Sequence, residues 1–168
     1  MKALLKQTGG DSLTEEKLRK YIGLYHGAVF RLAYSYLKNR ADAEDVCEEA
    51  FIKLYLYSGS FETDENCRAW LMKVTVNLSK NILKSCWFSR RTELDENLPA
   101  QHNEDYFLCE QLKKLPLKYR VVIHLHYYEG YTAREISEIT GTAVSTVTTR
   151  LSRARTQLRK LIEKENLT

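Results

Sequence analysis

The chain has 168 residues and a formal net charge of +4. This length accommodates one large domain or two small ones. The charge is too small to coat nucleic acid along the whole surface, so any basic binding surface must be local. No stretch approaches the roughly 20 apolar residues that a membrane helix needs, and the residues after Leu5 lack the apolar core of a signal peptide. We therefore expect a cytoplasmic protein with no membrane insertion.

The cysteines and histidines do not have the spacing of a metal site. Zinc sites draw on closely spaced ligand pairs, whereas the four cysteines are about twenty residues apart. His124 and His126 are two residues apart and cannot share one face of a helix. We expect no metal and no cofactor, and unpaired thiols at Cys47, Cys67, Cys86 and Cys109.

The N-terminal half reads as three amphipathic helices. A capping box over Ser12–Glu15 predicts the start of the first, and Asn39–Arg40 its end. Asp42 is the predicted N-cap of the second helix, with acids in its first turn and Gly59 closing it. The third follows the polar loop 62–66. The predicted core face of the first helix consists of Leu18, Ile22, Tyr25, Val29, Leu32, Ala33 and Tyr36. That of the second consists of Val46, Ala50, Phe51 and Leu54. That of the third consists of Trp70, Leu71, Val74, Leu78 and Ile82.

Hydrophobic periodicity fails between Ser85 and Asn103, where polar residues and one proline dominate. This composition is typical of a linker. Beyond it, a short helix ends at Leu115, and Pro116 is well suited to start the next one, with predicted core residues Tyr119, Val122, Ile123 and Tyr127. The sequence therefore predicts an all-α protein with two small helical domains, residues 1–84 and 104–168, joined by a flexible linker at 85–103.

Residues 131–159 read YTAREISEITGTAVSTVTTRLSRARTQLR, which is the layout of a helix-turn-helix. Thr132 and Glu135 form a capping box for the first helix. Ile136 and Ile139 form the apolar edge of that helix. Gly141 can adopt a positive φ at the turn. The second helix has a buried seam predicted at Val144, Val147, Leu151, Ala154 and Leu158.

The face opposite that seam carries short hydroxyl and arginine side chains. Ser145, Thr149, Ser152 and Arg153 point away from it, with Thr148 and Arg150 on the flanks. Short hydroxyls let a helix enter a major groove, and arginine can bind guanine or phosphate. The alternative is a solvated basic surface helix. The capping box, the turn glycine and the small polar face favour DNA binding.

Three segments in this order resemble RNA polymerase sigma factors of the extracytoplasmic-function (ECF) group of the sigma-70 family. They are DAEDVCEEAFIKLY at 42–55, RAWLMKVTVNLSKNILKS at 68–85, and LPLKYRVVIHLHYYEGYTAREISEITG followed by STVTTRLSRARTQLRK. The resemblance extends from about Tyr21 to Ile162. It implies a sigma-2-like and a sigma-4-like domain joined by a linker, in a protein that is not an enzyme.

The resemblance also implies partners and site residues. The expected partners are promoter DNA, core RNA polymerase (the clamp helices of its largest subunit and the flap of the second-largest) and an anti-sigma factor. Residues matching the polymerase-docking segment are Asp42, Asp45, Glu48, Glu49 and Lys53. Those matching the −10 segment, with a base pocket in the loop 61–67, are Phe61, Asn77, Lys80, Asn81 and Lys84. Those matching the −35 segment are Ser145, Thr146, Thr148, Thr149, Arg150, Ser152, Arg153 and Arg155.

Two of these assignments carry particular expectations. Trp70 lies within an apolar run at helical spacing, so we expect it in the core rather than on DNA. Thr148 stands where the family commonly has a basic residue, which predicts a different −35 preference.

Two other classes of protein are compatible with a helix-turn-helix. A stand-alone regulator would use the N-terminal half for dimerisation or effector binding and would bind an operator without polymerase. A nuclease or recombinase would need clustered carboxylates or a positioned nucleophile. The only dense acids, between Asp42 and Glu49, lack partner ligands elsewhere.

Overall fold

The computed structural model describes residues 14–89 and 111–165, and these residues form helices and turns without a strand. The all-α prediction is confirmed. None of the helices in these two ranges is both long and apolar enough to cross a bilayer. The helices are α1 (Glu15–Leu37), α2 (Arg40–Tyr55), α3 (Asp64–Ser89), α4 (Leu117–Ile123), α5 (Ala133–Thr140) and α6 (Val144–Glu165), with a π-helical turn (His124–Tyr128) continuing α4 and a helical stretch at 111–114 before it.

Helix α1 packs along both α2 and α3. Its N-cap is Thr14, whose hydroxyl accepts from the Lys17 amide at 3.3 Å. The predicted capping box was therefore placed too early, and Ser12 lies outside the described residues. Ile22, predicted in the core, is 37% exposed, whereas Tyr21 beside it is buried. The longer aromatic side chain reaches the start of α3.

Helix α2 begins two residues earlier than its acidic segment suggests. The prediction of Asp42 as N-cap was wrong: the cap is Asn39, whose side-chain oxygen accepts from the Asp42 amide at 3.0 Å. An amide caps as well as a carboxylate. Asp42 instead lies in the first turn, where its charge favours the positive end of the helix dipole. The predicted core face of α2 is confirmed as buried.

Helix α3 extends further at both ends than predicted. It starts at Asp64, inside the predicted polar loop, and continues to Ser89, so the predicted linker start at Ser85 falls within it. The remainder of that linker is outside the described residues, and the proposed domain boundaries stay a prediction. The largest fully buried side chains of α3 are Leu71, Met72 and Val76.

In the C-terminal half, Pro116 immediately precedes α4 as its N-cap. Tyr119, Val122 and Ile123 are buried as predicted. Tyr127 is 57% exposed, contrary to prediction. It lies on the π-helical turn, and the wider turn shifts the side-chain register by about one residue relative to an α-helix.

The capping box of α5 is confirmed by reciprocal bonds between Thr132 and Glu135. The Glu135 carboxylate accepts from the Thr132 amide at 2.8 Å, and the Thr132 hydroxyl accepts from the Glu135 amide at 3.3 Å. At the other end, Gly141 is the C-cap with φ 68°, and its amide donates to the Ser137 carbonyl. Both signals for the helix-turn-helix were therefore local and correctly predicted.

The two halves of the chain contact one another directly. Lys38, the C-cap of α1, donates from Nζ to the Lys113 carbonyl at 2.6 Å. The buried Arg120 of α4 donates to the Ser35 carbonyl of α1 and, at 2.8 Å, to the Leu115 carbonyl. Burial lowers the pKa of Arg120 to about 10, so it remains cationic at neutral pH.

Replacing Gly141 by alanine should destabilise the fold by about 1–2 kcal/mol, the cost of a left-handed backbone for an ordinary residue. A Cβ at this position would meet nothing within 4 Å, so the loss is conformational rather than steric. Urea unfolding measures it. Gly141→Asn is the matched control, because asparagine tolerates this conformation better. Equal losses for alanine and asparagine would contradict the prediction.

Candidate nucleic-acid interface

Helix α6 is held against α4 and α5 by the seam predicted from its periodicity. Val147, Leu151 and Ala154 are buried, and Leu158 packs at the edge of the core. Val144 is an exception, being 44% exposed. It is the first residue of α6 and lies outside the packed seam. The seam orients the rest of the helix and leaves one face free.

The free face of α6 carries every residue predicted for −35 DNA. All are exposed except Arg150, which is half-buried. The residues on this face are Ser145, Thr146, Thr148, Thr149, Arg150, Ser152, Arg153 and Arg155.

The threonine hydroxyls on this face already donate hydrogen bonds within α6. Thr148 donates to the Val144 carbonyl at 3.0 Å and Thr149 to the Ser145 carbonyl at 2.9 Å. With its proton used in this way, each side chain offers a methyl group and an oxygen acceptor. Methyl groups suit the thymine methyl, and acceptors suit the exocyclic amines of adenine and cytosine.

A groove of about 270 Å³ runs beside the N-terminal part of α6. Its lining combines hydroxyls with three cations. These lining residues are Lys118, Tyr119, Ser145, Thr146, Thr149, Arg150 and Arg153. Sequence analysis missed Lys118, because it lies in α4, far from the helix-turn-helix in the chain, and no local pattern marks it.

Arg155 has a different environment from the groove arginines. Its Nε donates to the Tyr127 hydroxyl at 2.7 Å, and its guanidinium lies 5.9 Å from that ring. Arg155 is thus already bonded to the exposed π-helical turn, and it does not line the groove.

The residues predicted for −10 DNA on α3 share one side of that helix. Asn77, Asn81 and Lys84 are exposed. Lys80 is half-buried and donates from Nζ to the Thr140 carbonyl of α5 at 2.7 Å. Burial, followed by the charges of Lys84 and Arg150, lowers the pKa of Lys80. The amide groups are therefore free, while the central cation is bound to the C-terminal half.

An aromatic cluster lies where the loop after α2 meets α3. The ring centroids of Tyr57 and Phe61 are 4.9 Å apart, and Trp70 lies 5.0 Å from Tyr57 and 5.8 Å from Phe61. All three residues are half-buried. Trp70, predicted in the core, is partly buried and packs against the core, and its ring also completes a partly exposed aromatic surface. Tyr57 was missed because it lies outside any periodic pattern.

The start of α3 is fixed to α1 through Asp64. Its carboxylate accepts from Lys20 at 2.6 Å and from the Tyr21 hydroxyl at 3.0 Å, and its carbonyl accepts from the Tyr25 hydroxyl at 3.0 Å. Hydrogen bonds from Lys20 and then Tyr21 lower the pKa of Asp64. These bonds position the beginning of α3 and the loop ahead of it.

Helix α2 exposes acids together with apolar side chains. Asp45, Glu48 and Glu49 are exposed and Asp42 is half-buried. Ile52 and Leu56, which sequence analysis did not select, are 57% and 71% exposed. The acids and the two apolar residues recur at i, i+3, i+4 and i+7 and so share one face. Lys53 lies beside them, 3.4 Å from Glu49.

Comparison with family models matches two parts of the chain. Residues 21–88 match sigma-70 region 2, and residues 109–158 match sigma-70 region 4. Among curated proteins, the chain is 33% identical to RNA polymerase sigma factor SigV of Bacillus subtilis, over 82% of this chain and 86% of SigV. It is 29% identical to ECF RNA polymerase sigma factor SigW of the same species, over 83% of this chain and 85% of SigW.

Two solved structures share the fold. One is the sigma factor RpoE of Bartonella quintana, in complex with the anti-sigma factor NepR (TM-score 0.75, 24% identity, covering 88% of this chain and 98% of that one). The other is CnrH in complex with the cytosolic domain of CnrY (TM-score 0.66, 21% identity, covering 90% of each chain).

Substituting the two groove arginines should separate base reading from phosphate binding. Arg153 is exposed on α6, and we expect Arg153→Ala to lose about 1–3 kcal/mol of duplex binding in a sequence-dependent way. Arg150 lies on the flank, and we expect Arg150→Ala to weaken binding to all sequences and to reduce the salt slope by about one. Titrations at several salt concentrations measure both. Identical effects on every sequence would show that the reading face is misassigned.

Proposed function

We propose a division of tasks among the helices of this chain, which belongs to the ECF group of the sigma-70 family of RNA polymerase sigma factors. Such a protein binds core RNA polymerase and directs promoter-specific transcription initiation. The proposal concerns which residues perform each step. The observation that carries it is the separation of three exposed surfaces with different chemistry on α2, α3 and α6.

The −35 element is assigned to α6. Its exposed face is rich in short hydroxyl side chains, which suit insertion into a major groove. Arg150, Arg153 and Lys118 surround the adjoining groove, and cations at the rim of a recognition helix fix its position by binding phosphates. Thr148 and Thr149 supply methyl groups and acceptors for base edges.

The −10 element is assigned to the exposed side of α3 and the loop before it. Asn77 and Asn81 offer amide donors and acceptors for unpaired bases, and Lys84 offers a charge for the backbone. The aromatic cluster of Tyr57, Phe61 and Trp70 offers stacking surface, which recovers part of the cost of unstacking a base.

Polymerase docking is assigned to the exposed face of α2. Asp45, Glu48 and Glu49 supply electrostatic complementarity to a basic partner, which raises the association rate and selects the partner. Ile52 and Leu56 add apolar area that a partner helix can bury. A solvated helix has no need of two large exposed apolar residues beside its acids, and this favours the docking assignment.

An anti-sigma factor is proposed as a further partner. Of the two structural relatives described above, RpoE was solved with the anti-sigma factor NepR bound, and CnrH with the cytosolic domain of CnrY bound. Competition of such a factor with core polymerase for this chain, measured by displacement of labelled protein, tests the assignment.

The promoter itself is best identified by run-off transcription. Bacterial core polymerase with and without this chain is supplied with a genomic library, and the transcript starts are mapped. We expect starts that depend on both proteins. A stand-alone regulator would instead bind its duplex operator without polymerase.

Reversing Asp45 and Glu49 to lysine should reduce core polymerase binding while preserving helical content. Opposite charges that match a basic partner become like charges, which penalise association. Co-purification with core measures binding, and circular dichroism measures helicity. The matched control is reversal of Glu16 and Glu163, two exposed acids outside α2. Unchanged binding after the α2 reversal would refute the docking assignment.

Replacing Asn77 by alanine should block promoter melting while sparing closed-complex binding. The amide is expected to hold an unpaired base after the duplex opens, so its loss affects only the open complex. Permanganate reactivity of unpaired thymines, with core present, reports melting. A template with a premelted bubble should restore transcription. Normal melting by the variant, or failure of the bubble to rescue it, would place the opening function elsewhere in the chain.

A further inference from the structure

Glu129 is a buried acid at the junction between the two halves of the chain. Its side chain is 1% exposed. The carboxylate lies 3.2 Å from Arg31 Nη2 of α1, 2.8 Å from Arg68 Nη2 of α3, and 3.3 Å from His124 Nε2 of the π-helical turn. The cluster therefore joins three helical elements that are distant in the sequence.

Arg68 makes more than one contact with the C-terminal half. In addition to its ion pair, it donates to the Glu129 carbonyl at 3.0 Å, and its guanidinium lies 5.0 Å from the Tyr131 ring. Further along α3, Lys80 is bonded to Thr140. Two cations of the helix assigned to −10 DNA are thus held by acceptors belonging to the C-terminal half.

This packed arrangement, which we call the closed form, cannot bind both promoter elements. The −35 and −10 elements are roughly 85 Å apart along B-DNA, at 3.4 Å per base pair. In the closed form, Lys80 of α3 is in contact with Thr140, which is only four residues before α6 begins. Simultaneous binding therefore requires the two halves to separate.

We propose that Glu129 is an intramolecular competitor of promoter DNA: its carboxylate holds Arg68 where a phosphate would bind, and its ion pairs with Arg68 and Arg31 keep the chain closed. Arg68 thereby becomes a further DNA-contacting residue of α3. The inference rests on the proposed assignment of −10 DNA to that helix. Separation of the halves frees both Arg68, near the start of α3, and Lys80, which lies beside Asn77 and Asn81 further along the helix.

The charge state of Glu129 supports this role. Burial alone would raise the pKa of Glu129, but its neighbours His124, Arg31 and Arg68 lower that pKa to about 2. The carboxylate is therefore ionised at neutral pH and pairs with the arginines. A DNA phosphate is also an anion that accepts charge-assisted hydrogen bonds from arginine, so the two compete for the same donors.

The test uses the full chain without polymerase. Small-angle X-ray scattering measures its radius of gyration, and fluorescence anisotropy measures its affinity for a fluorescein-labelled, mixed-sequence single-stranded DNA. We expect Glu129→Gln to expand the chain and to tighten DNA binding about tenfold, as when a binding-competent form rises from a minor to a major population. Glu138→Gln, the same charge change on an acid whose side chain is 72% exposed, should change neither quantity.

A second variant distinguishes the effect of opening the chain on DNA binding from the effect of a changed net charge and from a loss of folding. Arg31 is 54% exposed, and Arg31→Gln weakens the cluster while removing a positive charge. Tighter DNA binding by this variant would oppose the general effect of charge and would support competition. If Glu129→Gln does not fold, Arg31→Gln decides; if that variant also loses its helical signal, the cluster is a folding determinant and the proposal is overturned.

The remaining outcomes are also distinct. Folded variants with an unchanged radius of gyration would overturn the closed form as a state held by Glu129. Expansion without tighter DNA binding would overturn the competitor role. The assignment of −10 DNA to α3 is judged separately, by the melting assay on Asn77→Ala, so its failure is distinguishable from failure of this proposal.

Discussion

The arrangement of the two halves depends on how a buried carboxylate is neutralised. An ionised group excluded from water is costly unless it is paired and fully hydrogen-bonded. Glu129 meets this requirement only with partners from α1, α3 and the π-helical turn. No single element provides them all, so burial of Glu129 is favourable only when both halves are in place. This constraint brings α3 and α5 into contact and determines which cations are covered.

The same constraint explains why the three surfaces differ in how accessible they are to a partner in the closed form. The acids and apolar residues of α2 lie away from the junction, and the amides of α3 are exposed. By contrast, Lys80 and Arg68 are bonded across the junction, and Arg150 lines both the groove beside α6 and a second cavity that includes Lys80. Under the proposed assignment, polymerase docking can precede DNA binding, because the acids and apolar residues of α2 are already accessible in the closed form.

Features fixed by local chemistry were predictable from the sequence. The capping box at Thr132, the left-handed Gly141 and the seam at Val147 and Leu151 depend on residues a few positions apart. Caps were misplaced where neighbouring polar residues compete, as at Asn39 and Asp42. Exposure was misjudged at Val144 and Tyr127, where a helix end or a π-helical turn alters the face, and at Ile22, where the neighbouring Tyr21 is buried instead. The Arg68–Glu129 pair spans 61 residues, and nothing in either local segment indicates it.

The placement of the candidate site was harder to predict than its composition. The hydroxyls and arginines of α6 predict a DNA-facing helix from the sequence alone, whereas Lys118 joins the adjoining groove only through packing of α4 against α6. Likewise, a sequence pattern identifies Lys80 as a polar cation but not its bond to Thr140. An arginine or lysine binds a carboxylate, a carbonyl or a phosphate with similar chemistry. The sequence therefore predicts that such a side chain binds an oxygen acceptor, and only the fold shows which acceptor it binds. In the closed form the occupants at the junction belong to the chain itself, so promoter DNA must displace protein acceptors rather than water alone.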